Sequence, residues 1–278
     1  MRVAVLSGKG GAGKTFVSVN LAATAKSAVY IDCDVEEPNG RLYWKPNIES
    51  ETPVSVLIPE FDAAKCSGCR KCVEFCRFHA LIFVKGNPML FPSVCHSCGG
   101  CSLVCPENAV MEVPRPVGTI EKGARDGVHV VTGILNTGEE SAVPTIKAAL
   151  CAGGDADFTV IDCPPGSSCG VMESVKDADC CLLVAEPTAF GFHNFKMVHR
   201  LSVLLKKPCG VVINKADAPY KPLEDYCVAQ GLPVLLRVPY SERLAELGAA
   251  GEIAVEHEPE LAKAFGGLLS DIREGALS

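Results

Sequence analysis

Short runs of apolar residues alternate with longer stretches of mixed polarity along most of the 278-residue chain. Seven of these runs are predicted to be strands, at 3–6, 28–32, 128–131, 158–162, 181–186, 210–214 and 234–239. Most of the intervening stretches have the length of a helix, which is typical of parallel strands joined by helical crossovers. The sequence therefore predicts an α/β fold with a doubly wound, mainly parallel sheet.

The alternation is interrupted between about residues 52 and 116, where prolines and paired cysteine runs replace the long helical period. The segments 66–83 and 95–113 repeat one cysteine spacing, which indicates an internal duplication of about thirty residues. We therefore predict a small inserted α+β domain at 58–114. It would split a parent domain into a first part, 1–57, and a second part, 115–278.

The C-terminal segment 260–274 is predicted to be an amphipathic helix. Its opposite face carries more acidic than basic residues, whereas binding to anionic lipid needs a basic face. We therefore expect this helix to pack on the protein's own core. The apolar face consists of Leu261, Phe265, Leu268, Leu269 and Ile272.

Composition excludes several classes of function. A formal net charge of −7 provides no general basic field, so nucleic-acid binding is disfavoured. Hydrophobic residues make up 48% of the chain and charged residues 21%, yet no apolar run is long enough to span a bilayer. The first residues run directly into a predicted strand and leave no room for a signal peptide. We expect a cytoplasmic protein without membrane insertion.

The sixteen cysteines favour metal binding over disulfides, because the cytosol keeps thiols reduced. Eight of them lie between Cys66 and Cys105. The others are scattered, mostly beside apolar strand residues, as Cys180, Cys181 and Cys209 are. We expect most of these to be small buried hydrophobic residues.

The segment "GKGGAGKT" at 8–15 fits the phosphate-binding pattern G-x-x-x-x-G-K-[ST], between a predicted strand and a predicted helix. Its glycines allow successive backbone N–H groups to face a phosphate, beside a helix N-terminus. Lys14 is expected to reach the β and γ phosphates and Thr15 to bind Mg²⁺. A purely structural glycine-rich loop is the alternative. The candidate nucleotide-binding residues here are Gly8, Gly10, Gly11, Ala12, Gly13, Lys14, Thr15 and Phe16.

Lys9, directly after the first glycine, gives a "GKGGxGKT" variant. It resembles the deviant P-loop ATPases that include MinD, ParA, the Mrp-type iron–sulfur carriers and the nitrogenase iron protein. The resemblance covers nearly the whole chain outside the insertion. It implies a P-loop NTPase fold and a dimeric ATPase, either a homodimer or a paralogous heterodimer. In such a dimer, Lys9 would reach the partner's nucleotide.

Two further segments resemble switch regions of that family. "VYIDCD" resembles the entry to switch I, which implies that Asp34 positions the attacking water and that Asp32 supports the site. "FTVIDCPPG" resembles the Walker B strand and switch II. Asp162 would then be the outer-shell partner of Mg²⁺, and Gly166 would offer its N–H to the γ-phosphate. For Asp34, capping a helix is the alternative role.

"NKAD" at 214–217 occurs where this family contacts the base. It also matches the N-K-x-D pattern of many GTPases, so these residues alone do not decide whether the bound nucleotide is ATP or GTP. The resemblance implies ATP and Mg²⁺ as ligands. "VPY" at 238–240 resembles the segment that flanks the base, and an ordinary strand-to-helix turn is its alternative. The candidate base-contact residues are Asn214, Lys215, Asp217, Pro239 and Tyr240.

The cysteine run at 66–76 has the spacing C-x₂-C-x₂-C-x₃-C, and the run at 95–105 repeats it. Together they resemble a bacterial two-cluster ferredoxin, in which the fourth cysteine of each run binds the other run's cluster. Arg77 stands where that pattern usually has proline. The alternatives are zinc sites, or clusters whose only role is to stabilise a small domain. The resemblance implies one [4Fe–4S] cluster on Cys66, Cys69, Cys72 and Cys105, and a second on Cys95, Cys98, Cys101 and Cys76.

Cys169 stands seven residues after Asp162. In the nitrogenase iron protein, a cysteine at this spacing holds a cluster shared between subunits. That protein's second ligand comes from an earlier loop, and the corresponding segment 136–144 contains no cysteine. Cys169 is therefore a candidate metal ligand together with its dimer mate or with Cys163, or else a packing residue at a helix start.

These features lead to three functional hypotheses. The first is a Mg-ATP-dependent dimeric ATPase whose nucleotide state controls electron transfer through two [4Fe–4S] clusters, or docking to a redox partner. The second is an ATP-dependent iron–sulfur or metal-cofactor assembly or carrier protein, which delivers its cofactor to an apo-metalloprotein. The third is a positioning ATPase of the ParA or MinD kind, which the acidic balance and the non-basic tail disfavour.

Overall fold

The computed structural model describes residues 1–277, and its main body is a nine-stranded sheet. The strands are β1 (Arg2–Ser7), β2 (Val29–Asp32), β3 (Asn47–Phe61), β4 (Leu81–Val84), β5 (Asn87–Leu90), β6 (Val110–Arg125), β7 (Val128–Leu135), β8 (Thr159–Asp162), β9 (Cys180–Ala185), β10 (Cys209–Asn214) and β11 (Val234–Val238). The helices are α1 (Lys14–Ala25), α2 (Gly40–Trp44), α3 (Lys71–Phe75), α4 (Gly100–Leu103), α5 (Val143–Ala152), α6 (Cys169–Val175), α7 (Ala189–Leu204), α8 (Lys221–Gln230), α9 (Glu242–Ala250), α10 (Ala254–His257) and α11 (Pro259–Arg273), with a 3₁₀ turn at Pro92–Val94.

The strand order in the main sheet is β11-β10-β9-β1-β8-β2-β7-β6-β3. From β11 to β7 every neighbouring pair is parallel, whereas β6 runs antiparallel to both β7 and β3. The predicted mainly parallel α/β fold is therefore confirmed. Each of the seven predicted strands is present, and β7 is four residues longer than predicted because it continues to Leu135.

Both faces of the sheet are covered by apolar packing. Along β1, Ala4 and Leu6 belong to one buried cluster, while Val3 and Val5 belong to the cluster on the other face. This alternation explains why parallel strands appear as continuous apolar runs in the sequence. The scattered cysteines expected to be buried, Cys180, Cys181 and Cys209, are buried as predicted.

The C-terminal helix α11 packs against the core, as predicted. Phe265, Leu268 and Ile272 are buried in the same cluster as Val3 and Val5. The ring of Phe265 meets that of Phe16 edge to face, with 6.5 Å between the ring centroids. No helix within residues 1–277 has the length and apolar character needed to cross a membrane.

Strands β3 and β6 form a long antiparallel ribbon, which was not predicted. Their pairing extends from Asn47 opposite Ala124 to Phe61 opposite Val110, and residues 62–109 lie beyond that end. Both strands contain prolines, which cannot donate hydrogen bonds to a neighbouring strand, so their sequences do not predict strands. Most residues of β3 are exposed, so no apolar alternation marks it either. The ribbon continues through both predicted domain boundaries.

Residues 62–109 contain the short helices α3 and α4 and the hairpin β4–β5. The two halves of this segment have matching backbone conformations when Cys66 is aligned with Cys95. Positive φ angles recur at corresponding positions, Gly68 with Ser97, Arg70 with Gly99 and His79 with Asn108. The duplication predicted from the cysteine spacing is therefore present in the backbone.

Replacing Phe265 by alanine tests the packing of α11. Because the ring is fully buried, we expect Phe265→Ala to lower the free energy of unfolding by about 3–5 kcal/mol, measured by chemical denaturation. The control Lys263→Ala on the exposed face of the same helix should change it by less than about 0.5 kcal/mol. Equal small effects of both substitutions would contradict the packing of α11 on the core.

Candidate functional site: a nucleotide cleft and two cysteine sets

A cleft of about 970 Å³ opens at the carboxyl ends of β1, β2 and β8. Its walls come from the phosphate-binding loop after β1, from residues 33–39 after β2, and from residues 140–143 and 164–170. Open α/β sheets bind ligands at their carboxyl edge, where the strand order reverses. Strand β1 lies at such a point, between β8 and β9. The cleft has the size of a site for a small organic ligand.

The loop between β1 and α1 cannot accept side chains at two of its glycines. Gly11 and Gly13 have φ angles of +79° and +91°, which favour glycine. A Cβ on Gly13 would also lie 1.9 Å from Nδ2 of Asn214. That Nδ2 donates a hydrogen bond of 2.9 Å to the carbonyl of Ala12. Asn214, predicted to contact the base, thus supports the phosphate-binding loop.

The ammonium group of Lys14 is buried between two carboxylates. Its Nζ lies 2.7 Å from Oδ1 of Asp162 and 3.4 Å from Oδ2 of Asp34. Burial alone would lower the pKa of Lys14, but the charges of Asp162 and Asp34 outweigh it and raise the pKa above its ordinary value. Tyr30 and Ser18 donate further hydrogen bonds to Asp162, of 2.9 and 3.0 Å. Lys14 therefore stays protonated.

Asp32 and Asp34 have different surroundings. Asp32 is buried and accepts hydrogen bonds from the backbone N–H groups of Asp34 and Gly40, at 3.1 and 2.9 Å. These hydrogen bonds hold the segment between β2 and α2 in place. Asp34 lines the cleft, and burial raises its pKa to about 6. Its carboxylate contacts Lys14, whereas α2 has no side-chain cap.

Lys9 is held by a residue that the sequence analysis missed. Its ammonium pairs with Glu186 at 2.5 Å and lies 5.3 Å from the centre of the Phe190 ring. Lys215 also approaches Glu186, at 3.7 Å, and donates a 2.9 Å hydrogen bond to the carbonyl of Gly11. The one sequence signal for Glu186 was its position at the carboxyl end of a buried strand, a place where α/β proteins collect polar residues.

The predicted contact of Gly166 with the γ-phosphate stays a prediction. Its N–H donates a 2.9 Å hydrogen bond to the carbonyl of Ser7, so it is not free to meet a γ-phosphate in this conformation. Asp217 accepts a 3.1 Å hydrogen bond from the N–H of Tyr240, which joins the two segments predicted to contact the base. In the described part of the chain, these segments lie outside the residues that line the cleft. They comprise Asn214, Lys215, Asp217, Pro239 and Tyr240.

The eight clustered cysteines fall into two groups, each around its own cavity. The first cysteine set is Cys66, Cys69, Cys72 and Cys105, and the second cysteine set is Cys76, Cys95, Cys98 and Cys101. In each set, three cysteines come from one run and the fourth from the other. Among residues 1–277, no group of three or more His, Cys, Asp or Glu side chains is arranged to hold a single metal ion.

Each set brings four thiol groups to one cavity, and thiolates are the ligands of iron–sulfur clusters. Burial raises the pKa of the Cys101 thiol to about 11, and the charges of nearby cysteine side chains, that of Cys76 first, add to the effect. The N–H groups of Ala80 and Ala109 donate to the sulfurs of Cys76 and Cys105, at 3.4 and 3.3 Å. Such bonds are a feature of iron–sulfur sites. Since the described residues contain no group of side chains arranged around a metal ion, both the zinc sites and the two [4Fe–4S] clusters stay predictions.

Cys169 begins α6 and is exposed on the wall of the nucleotide cleft. Cys163, its candidate partner within the chain, is fully buried, and its sulfur lies 3.7 Å from the carbonyl of Ile161. Within the described residues, these two cysteines do not form part of a three-ligand metal group.

Two curated relatives come from Methanocaldococcus jannaschii. The uncharacterized protein MJ0579 is 26% identical over 259 residues, which cover 91% of this chain and 90% of the relative. The uncharacterized protein MJ0578 is 33% identical over 195 residues, which cover 68% of each chain. Their names give no function.

Solved structures similar to this chain include two archaeal MinD proteins. The cell division ATPase MinD of Pyrococcus furiosus has a TM-score of 0.61 at 19% identity, with 98% of each chain covered. The septum site-determining MinD of Pyrococcus horikoshii, solved with Mg-ADP, has a TM-score of 0.60 at 17% identity, with 98% of this chain and 95% of that chain covered. At these identities the likeness establishes the P-loop NTPase-like fold alone, and neither name carries an iron–sulfur role.

The family model that matches this chain is described as the CobQ/CobB/MinD/ParA nucleotide binding domain, and it covers residues 3–255. That range includes the phosphate-binding loop, both buried aspartates and the two cysteine sets. The chain therefore belongs to the CobQ/CobB/MinD/ParA family of nucleotide-binding domains.

Proposed function

We propose that the protein is a Mg-ATP-dependent dimeric ATPase whose nucleotide state controls electron transfer through two [4Fe–4S] clusters, or docking to a redox partner. The observation that carries this proposal is the grouping of eight cysteines into two sets of four in a chain with a nucleotide cleft. Each set mixes the two runs in the manner of two-cluster ferredoxins. A bound cluster supplies one-electron transfer.

The residues of the cleft suit phosphoryl transfer, which needs positioning, a metal and charge neutralisation. Lys14 brings a buried positive charge, Thr15 a hydroxyl for Mg²⁺, and Asp162 a carboxylate at the metal's outer shell. Asp34 lines the cleft and would orient the attacking water. The Mg-ADP bound to the Pyrococcus horikoshii protein supports an adenine nucleotide over a guanine nucleotide.

Dimerisation would place Lys9 at the partner's nucleotide. In the single chain Lys9 pairs with Glu186, so it must leave this partner to reach a phosphate in the second subunit. Because this ion pair is partly exposed, it stabilises the chain only weakly, so its loss costs little free energy. Both a homodimer and a paralogous heterodimer satisfy this requirement.

Two other functions compete with this proposal. An ATP-dependent assembly or carrier protein for a metal cofactor is favoured by the exposed thiol of Cys169 on the wall of the nucleotide cleft. A positioning ATPase is favoured by the cell-division names of the solved neighbours. An iron–sulfur assembly or carrier protein would use the two cysteine sets to hold clusters for transfer, and we place it second. A positioning ATPase gives these sets no role, so we place it third.

Substitution of the two loop lysines separates binding from hydrolysis. Lys14→Ala should lose nucleotide binding, measured by calorimetry with Mg-ATP, because it leaves Asp162 buried without its positive partner and removes the phosphate contact. Lys9→Ala should bind nucleotide within about threefold of wild type but lose at least about tenfold in hydrolysis and the nucleotide-dependent dimer, since its role lies across the interface. Unchanged hydrolysis by Lys9→Ala would contradict the dimeric mechanism.

The crossed cysteine sets can be tested by alkylation under anaerobic conditions, followed by mass spectrometry. In reconstituted Cys105→Ser, we expect Cys66, Cys69 and Cys72 to become reactive, because their cluster has lost its fourth thiolate. The second cysteine set should stay protected. Cys151→Ser, at an exposed cysteine outside both sets, is the control and should leave all eight protected. Exposure of Cys95, Cys98 and Cys101 instead would show that the fourth cysteine binds within its own run.

A further inference from the structure

The segment that carries the two cysteine sets is basic, although the protein as a whole is acidic. Residues 62–109 contain five basic and three acidic side chains, a formal charge of +2, whereas the whole chain carries −7. Exposed charges act over about 10 Å at ordinary ionic strength. A local positive field of this kind attracts an acidic surface to the cysteine sets and repels a basic one.

Three of the basic residues lie around the first cysteine set. Arg70 lines the cavity of that set together with Cys69. Its guanidinium lies over the ring of Phe83, 4.5 Å from the ring centroid. Lys71 is the next residue and begins α3. Lys85 belongs to the two-residue turn between β4 and β5.

The β4–β5 turn packs against the loop that precedes α3. A Cβ placed on Gly68 would lie 3.5 Å from the ring of Phe83 and 3.8 Å from the carbonyl oxygen of Gly86, which are ordinary contact distances. Gly68 directly precedes Cys69, and Gly86 directly follows Lys85. The turn therefore brings its lysine to the same part of the surface as the arginine and lysine at the start of α3.

The charges of these three residues are exposed and unpaired. The basic patch consists of Arg70, Lys71 and Lys85. Within residues 1–277, no acidic side chain forms an ion pair with any of them, whereas Lys65 of the same segment pairs with Asp62 at 3.3 Å. Glu74 on α3 and Glu107 at the cavity offset part of the positive charge without pairing. The patch is therefore available to the acidic groups of another protein.

The β4–β5 hairpin adds exposed apolar area beside the basic patch. Ile82 is paired with Met89 across the two strands, and Val84 lies on the same face as Ile82 because side chains alternate along a strand. These three side chains are 36%, 46% and 40% exposed, in that order. Apolar area with a charged rim is the usual composition of a protein interface, and weak redox complexes use small interfaces of this kind.

We propose that the basic patch is a docking surface for an acidic electron-carrier protein, which it brings beside the first cysteine set. This inference rests on the proposed function, because it assumes a [4Fe–4S] cluster on that set. Cys69 is exposed and adjoins Arg70, so a protein on the patch comes close to the set. One electron leaves the reduced carrier and is accepted at the cluster, and no bond forms or breaks. Opposite charges speed the encounter and fix its orientation.

Calorimetry with a flavodoxin, a small acidic carrier protein, tests the docking surface on the full-length, anaerobically reconstituted protein. Wild type should form a complex whose dissociation constant rises at least about tenfold between about 0.05 and 0.3 M salt. The triple variant Arg70→Glu, Lys71→Glu, Lys85→Glu should weaken the complex at least about tenfold, because each reversed charge repels the acidic carrier.

A second triple variant with the same change of net charge is the control. It reverses one arginine and two lysines that are exposed on α5, α7 and α8, and it should bind flavodoxin within about threefold of wild type. The control substitutions are Lys147→Glu, Arg200→Glu and Lys221→Glu. Circular dichroism and iron content of both variants show whether they fold and load as wild type does. Absence of a complex in wild type at low salt, or equal weakening in the two triple variants, overturns the docking surface.

Reduction of the same samples, followed by absorbance, separates this inference from the proposed function. If flavodoxin binds through the basic patch but the protein holds no iron or accepts no electron, the docking surface stands and the redox function fails. If dithionite reduces clusters in wild type while no flavodoxin complex forms, the docking surface fails and the redox function stands.

Discussion

The buried ammonium group of Lys14 is the interaction on which the nucleotide site depends. A charge removed from water is tolerated only when it is paired, and Asp162 and Asp34 supply the pairing. Asp162 ends β8, Asp34 follows β2, and Lys14 begins α1 after the loop that follows β1; the three strands are neighbours in the sheet. The strand order therefore assembles the site, and the charge that pairs with the carboxylates is the one that phosphates would contact.

This arrangement implies that nucleotide acts on the protein by replacing carboxylates. Phosphate oxygens that approach Lys14 compete with Asp34, whose segment is held to β2 through Asp32. Residues 140–143 also line the cleft, and they follow Glu139, whose carboxylate accepts hydrogen bonds from Arg115 of β6.

Patterns that depend on local sequence were predicted well. The phosphate-binding loop, the seven parallel strands, the duplicated cysteine segments and the packing of α11 all follow from spacing or periodicity in short stretches. The grouping of the cysteines into crossed sets came from a family resemblance, and the cavities in the structure have the same grouping. Burial of the scattered cysteines followed from their place in apolar strands.

Features that depend on contacts between distant residues were missed. Strands β3 and β6 contain prolines and exposed positions, so nothing in their sequence marks a ribbon. Two ion pairs join residues from different elements, and no sequence motif predicts them: Arg115 with Glu139, and Lys9 with Glu186. Gly166 was assigned from a motif that fixes its place in the chain but not the direction of its N–H, which points to Ser7.

The proposed function requires that the cysteine sets bind two [4Fe–4S] clusters and that nucleotide in the cleft changes them. Anaerobic electron paramagnetic resonance of the reduced, reconstituted protein measures this most directly. The account predicts signals of two reduced [4Fe–4S] clusters whose shape changes between ADP and a non-hydrolysable ATP analogue. Identical spectra with both nucleotides, under conditions where both are bound, would contradict it.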